Sequence, residues 1–265
     1  MELAPIYNYP IWAVGLFFIF ILTSALELGF RVGVKKREKW KDADSGGGAV
    51  VLNSMFALMG LVLAFTYAIG VNHYDANKKA VIMEANALGT AFLKANLVVE
   101  PGRTELKTTL LDYARSRAFH SGAYGTNEDR KAALMMTLDK QAELWLATKH
   151  VVDQGDRGPI SSSLVAAIND VIDAHTLRLA ALLDKLPRVV MWMLLLVAAA
   201  SLGVAGYNAG IQGRMSRFRM TALTLVLTCL MLIIHDFDRP GDGLVIVDEF
   251  SIGIVIADME ADLGQ

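Results

Sequence analysis

Positions 72–97, NHYDANKKAVIMEANALGTAFLKANL, hold the side chains best suited to contact an ion. Alanines recur there at helical spacing, at positions 76, 80, 87, 91 and 95, and Glu84 lies beside that row. A carboxylate in such a place is partly buried, so it must find a cation or become neutral. One interpretation is therefore a helical vestibule in which Glu84, Asn86 and Thr90 contact an ion or a ligand.

A structural interpretation of Glu84 is the one that we favour. A buried carboxylate is stable only when a cation and further hydrogen bonds satisfy it. Arg178, on a later helix of the same segment, would supply the cation, and Asn169 or Asp173 would complete the network. Glu84 would then tie its helix to the neighbouring helices that pack around it on several sides.

A second polar cluster is the motif HDFDRPGDG, which contains His235, Asp236, Asp238 and Arg239. Acidic oxygens at this spacing can bind a hard cation, but the ligands are few and no EF-hand loop is present. We favour a charged cap at the membrane interface, with an Arg–Asp pair followed by a Pro–Gly turn.

His73 and Asp75 lie where the second apolar stretch ends, and they are candidates for the mouth of a pore. The simpler interpretation is an interfacial histidine and an ordinary i,i+4 pair of Asp75 with Lys79. No HExxH or paired-ligand spacing indicates zinc, and His175 is predicted to be a satisfied core histidine. We predict no metal.

Enzyme motifs are absent from the sequence. It has no Walker A loop, no dinucleotide fingerprint, no GxSxG elbow and no CxxC pair, so we predict neither an enzyme nor a cofactor. The basic run KKREKWK is predicted to fix membrane topology and to contact anionic lipid, and nucleic acid is not an expected partner.

The elements that position these residues follow from composition. The chain has 265 residues, of which 54% are hydrophobic and 20% are charged. About 20 apolar residues are needed for a helix to cross a bilayer. Four stretches are long and nearly free of charge: 11–28, 49–71, 189–211 and 220–234. The sequence therefore predicts an all-α membrane protein with four transmembrane helices and a helical extramembrane bundle between spans two and three.

The short loops set the predicted orientation. The loop between spans one and two and the loop between spans three and four are both rich in Lys and Arg, so both should be cytoplasmic. The N-terminus, the insert and the C-terminal tail are then extracytoplasmic. The predicted divisions are 1–71, 72–187, 188–235 and 236–265.

Within these divisions, one helix is predicted from about position 50 to 97, because no Pro or Gly pair interrupts it. Further helices are predicted at 104–119, 129–150 and 164–186, the last with Ser161 or Ser162 as its N-cap, and a short strand is a candidate at 244–247.

Small residues recur on faces of two spans. In span two, Gly60, Ala64 and Ala68 lie at intervals of four, and Asn53 and Tyr67 are further candidates on that helix for lining a pore or packing. In span three, small residues share a face at positions 199, 203, 206 and 210. Such faces allow close helix approach in lipid, either within the chain or between subunits.

Five motifs in this order resemble the bacterial bestrophin-like membrane proteins: GLVLAFTYA, NHYDANKKAVIMEANALGTAFLKA, INDVIDAHTLRLAALLDKLP, GYNAG and LIIHDFDRPGDGLVIV. The resemblance covers nearly the whole chain. Bestrophins are pentameric anion channels with four membrane helices per subunit, and their second helix lines the pore. In them the segment equivalent to the insert is cytosolic, whereas the loop charges here predict the opposite side.

The resemblance implies an oligomeric protein of the bacterial inner membrane, in which span two and its extension line an ion channel or transport pore. Inorganic ions, the lipid bilayer and further copies of the chain are the expected partners. The alternative is a non-conducting scaffold or sensor whose extracytoplasmic bundle binds a partner or ligand.

Overall fold

The computed structural model describes residues 9–37, 46–118, 127–155, 158–239 and 244–264, and every regular element in these ranges is a helix. The described ranges contain eight helices: α1 Ile11–Lys36, α2 Gly46–Ala95, α3 Gly102–Arg117, α4 Asn127–Gln154, α5 Pro159–Leu183, α6 Arg188–Gln212, α7 Arg217–Phe237 and α8 Phe250–Leu263. The predicted uninterrupted helix is confirmed, since α2 is a single helix of 50 residues.

Four helical stretches are long and apolar enough to cross a membrane: Ile11–Lys36, Gly48–Ala95, Pro159–Gln212 and Arg217–Phe237. They contain the four spans predicted from the sequence. The prediction of an all-helical membrane protein with four spans is therefore confirmed.

The chain forms two compact units. We call Met1–His73 with Lys185–Arg239 the membrane unit, and Tyr74–Asp184 with Pro240–Gln265 the bundle unit. Helix α2 contributes its first part to the membrane unit and its second part to the bundle unit. The bundle unit is discontinuous in sequence, because α6 and α7 lie between α5 and α8.

Backbone contact between α1 and α6 organises the membrane unit. A Cβ added to Gly206 would lie against the carbonyl oxygen of Leu26, and a Cβ added to Gly29 would lie against the carbonyl oxygen of Gly203. Only glycine permits such an approach. The small-residue face of span three thus packs within the chain, as helix association in lipid favours.

The bundle unit surrounds an apolar core. Buried side chains of α2, α3, α4 and α5 meet there, among them Leu88, Leu110, Leu144 and Ile168, and Met259 of α8 packs against the same core. This core is what holds the second part of α2 in place.

Two local predictions were wrong. No strand forms at 244–247: Val247 packs against Val81 and Ala85 of α2 without a pairing partner, and helix α8 follows. Helix α5 begins at Pro159 with Gly158 as its N-cap residue, so neither Ser161 nor Ser162 caps it. Proline suits the first helical position because its missing N–H needs no partner there.

Candidate functional site

The membrane part of α2 presents the predicted pore or packing residues on its outer side. Asn53, Gly60, Ala64, Tyr67 and Ala68 are all exposed on the single chain. A Cβ at Gly60 would meet nothing within 4 Å among the described residues. Unlike the small-residue face of span three, this row of span two is not covered by the described residues.

The opposite side of α2 anchors the helix to the membrane unit. Met59 and Leu63 belong to its core, and the buried Thr66 hydroxyl is satisfied because it donates to the Val62 carbonyl 2.7 Å away. The exposed side is therefore the side available to solvent, lipid or another subunit.

Polar residues meet where α2 leaves the membrane unit. His73 Nδ1 lies 3.7 Å from Asp238 Oδ1, and that oxygen accepts the Leu186 N–H at 2.8 Å. The Tyr67 and Phe237 rings meet edge to face nearby, with centroids 5.7 Å apart. Asp238 thus links α2, the end of α7 and the segment that precedes α6.

The remaining members of the predicted interface cluster lie close by in the sequence. His235 and Asp236 are buried at the end of α7. The Arg239 guanidinium donates to the Tyr9 carbonyl oxygen at 3.0 Å, and its backbone N–H donates to the Asp236 carbonyl oxygen at 2.9 Å. Asp75, two residues beyond the point where α2 leaves the membrane unit, is exposed.

Glu84 is fully buried in the bundle unit and lies between two guanidinium groups. Arg117 Nε donates to its Oε1 at 2.5 Å, and Arg178 Nη1 donates to its Oε2 at 2.7 Å. Both arginine side chains are less than 5% exposed. Arg178 also donates through Nη2 to Glu249 Oε1 at 2.5 Å. The four residues form a network of two cations and two anions from α2, α3, α5 and the segment before α8.

The surroundings of the network are also polar. Arg117 Nη1 lies 3.4 Å from the Thr137 hydroxyl of α4. The hydroxyl of Tyr113 and both ring nitrogens of His175 are buried, and they have no hydrogen-bond partner among the described residues. His175 is therefore not the satisfied core histidine that was predicted: its ring is in the core, but its nitrogens are not hydrogen-bonded.

Charge and burial shift three pKa values here. Burial by itself raises the pKa of the Glu84 carboxyl, but the charges and hydrogen bonds of Arg117 and then Arg178 outweigh it, and the pKa is lowered. Burial, with the charge of Arg117, lowers the pKa of His175. Burial raises the pKa of Tyr113. The site thus holds an ionised carboxylate beside a neutral histidine.

The other residues predicted for this network lie elsewhere. Asn169 is exposed, and Asp173 lines an open groove between α2 and α5 together with Asn86 and Thr90. The helical positions explain this: Asn86 and Thr90 lie on the side of α2 that faces away from Glu84. Arg117 and Glu249 were not predicted, and they complete the network instead.

Among the described residues, no group of three or more His, Cys, Asp or Glu side chains is arranged to hold a metal ion. The buried network has each carboxylate engaged by arginine. Its chemistry is that of a structural tie between helices, while the exposed side of α2 is the surface that could meet an ion.

A family model of the bestrophin-like domain matches residues 17–250. The chain belongs to the bestrophin-like family. The bestrophin-like fold is also seen in crystal structures of a bacterial bestrophin homologue from Klebsiella pneumoniae. A mutant of that homologue matches with a TM-score of 0.67 at 8% identity, covering 97% of this chain and 99% of the homologue. A second structure of it matches with a TM-score of 0.66 at 8% identity, covering 93% and 98%.

No curated protein matches the chain. At such low identity, the structural likeness establishes the bestrophin-like fold alone, and the family resemblance predicted from the five motifs is confirmed by the family model.

Proposed function

We propose that this bestrophin-like chain assembles into a homo-oligomeric ion channel, with α2 lining the axis and anions as the permeant class. The observation that carries the proposal is the poor cover of α2 by its own chain. In its most apolar 18-residue stretch 11% of residues are buried, against 44% in the Pro159–Gln212 stretch and 39% in α7.

The two exposed flanks of α2 differ in chemistry, which supports the same arrangement. At 3.6 residues per turn, Asn53, Gly60, Ala64 and Ala68 fall on one side, and these residues are small or polar. Bulky exposed residues fall on the adjoining side: Leu58, Leu61, Phe65 and Ile69. A small, partly polar row suits a water-filled path, and a bulky apolar row suits lipid or a neighbouring helix.

The subunit number and the orientation extend the proposal. Five subunits are expected from the resemblance to bestrophins, and the inner membrane of a bacterium is the expected location. The basic loops favour a bundle unit outside the cytoplasm. The buried network then serves as scaffolding that fixes the second part of α2.

Flux through liposomes tests the channel. Purified protein should pass chloride faster than potassium, and Ala64→Phe should reduce that flux because it adds bulk to the proposed path. Ala222→Phe is the matched control, since it makes the same substitution at an exposed position on α7.

Absence of chloride and potassium flux at varied pH, voltage and calcium would contradict the channel and favour a non-conducting scaffold or sensor. Equal loss of flux in both variants would contradict the placement of Ala64 at the axis.

A further inference from the structure

Helix α8 is apolar on two sides, and the residues that the structure describes cover one of them. Its inner side packs on the bundle unit through Ile252 and Met259. Its outer side carries no ionisable residue over three turns: Phe250, Gly253, Ile254, Ala257 and Ala261 are all exposed. Phe250 is 68% exposed and Ile254 is 45% exposed. A helix in water normally has a polar outer side, so this stripe is suited to a contact.

A complementary surface lies elsewhere in the bundle unit. An open groove between α2 and α5 encloses about 370 Å³. Small residues form its floor, Ala87, Ala167 and Ala174, and Met83 and Leu177 form apolar edges. A groove with alanines on its floor admits the side chains of another helix.

The two surfaces lie on opposite sides of the same helix. Helix α8 meets α2 at Val81 and Ala85, whereas the groove meets α2 at Met83 and Ala87. At about 100° per residue, these two pairs point roughly 160° apart around the α2 axis. Exposed residues of α2 lie between them, and Ile82 is one of these.

This arrangement fits a ring of identical copies. If the side of α2 near Ile82 faces a rotation axis, α8 of one copy lies next to the groove of the neighbouring copy. Each chain carries one stripe and one groove, so the contacts are heterologous and saturate when the ring closes.

We propose that the outer stripe of α8 docks into the α2/α5 groove of a neighbouring copy of the chain. The inference rests on the proposed function in one respect, the position of α2 near the axis. Acidic residues border both surfaces, Asp173 at the groove and Asp258 beside the stripe. Added salt therefore strengthens the contact, because it screens their repulsion and leaves the apolar burial intact.

Cysteine cross-linking of the full chain tests the contact, after the native Cys229 is replaced by alanine. Ile254→Cys and Leu177→Cys change exposed positions of the stripe and the groove edge. With both in one chain, a bismaleimide should give a ladder of multimers that ends at the ring size. Either variant alone should give no ladder, since a heterologous contact joins two different residues.

The control pair combines Ile254→Cys with Lys149→Cys, an exposed position on α4, and it should stay monomeric on a denaturing gel. Dimers from Ile254→Cys alone would indicate that two α8 helices meet, and this would overturn the proposal.

A separate Ala64→Cys variant tests whether the α2 helices of different copies meet near the symmetry axis. Cross-linked Ala64→Cys without a ladder from the stripe and groove pair would leave the oligomer standing and overturn the docking. Failure of both would contradict the oligomeric channel itself, and the docking with it.

Discussion

Glu84→Gln is the sharpest test of the buried network, because it removes one charge and little volume. The carboxylate accepts hydrogen bonds from Arg117 and Arg178. A glutamine would present an NH2 group to one guanidinium and would remove the anion that Arg117 and Arg178 share, while Glu249 still pairs with Arg178. Removing one partner of a buried ion pair costs about 3–5 kcal/mol.

The measurement is thermal unfolding in detergent at neutral pH. For a chain of this length, that loss corresponds to a fall of roughly 10 °C in Tm. The matched control is Glu143→Gln, which breaks an exposed pair with Lys140 at 2.7 Å. Exposed pairs contribute about 0–1 kcal/mol, so the control should change Tm by about 2 °C or less.

A double variant separates charge balance from lost contacts. Glu84→Gln with Arg117→Met removes one anion and one cation, which leaves Arg178 paired with Glu249. This double variant should be more stable than Glu84→Gln alone. A Glu84→Gln protein as stable as the control, or a double variant less stable than the single one, would refute the reasoning.

Three further predictions concern pH, packing and orientation. The pKa of His175 is lowered in the folded chain, so below about pH 6.5 the unfolded chain binds a proton that the folded chain does not, and stability falls as the pH drops. The Tm of His175→Phe should therefore fall less between pH 7.5 and 5.5 than the Tm of the wild type. The exposed control His150→Asn should behave like the wild type. Gly206→Ala should lower Tm, because its Cβ meets the α1 backbone. Gly60→Ala should not lower Tm, because its Cβ meets no described residue and alanine favours a helix more than glycine does. The reverse order would contradict the packing. Lys149→Cys, in a chain whose native Cys229 is replaced by alanine, should react with an impermeant maleimide in intact cells. Labelling only after lysis would overturn the predicted orientation.

Helix positions were predictable from the sequence because periodicity and breakers are local properties. The apolar runs gave the four spans, and the lack of a Pro or Gly pair gave the length of α2. The strand at 244–247 was mispredicted because a short apolar run suits a strand or a packed loop equally well.

Only two of the four residues of the buried network were predictable from the local sequence. Glu84 and Arg178 stood out because each sits on an apolar helix face, where a charge needs a partner. Arg117 resembles an ordinary basic residue in the last turn of a helix, and Glu249 directly precedes α8, which the sequence did not predict. Their roles depend on how α3 and α8 pack, which no short stretch of sequence encodes.

The discontinuity of the bundle unit has a consequence for biosynthesis. Its last helix, α8, leaves the ribosome only after α6 and α7 have been translated, yet Ile252 and Met259 belong to apolar clusters built on earlier helices. Part of the core of the nascent chain therefore stays uncovered until α8 has been synthesised, and exposed apolar surface at this stage favours aggregation. A premature stop codon after α7 would remove α8 and so prevent completion of the core.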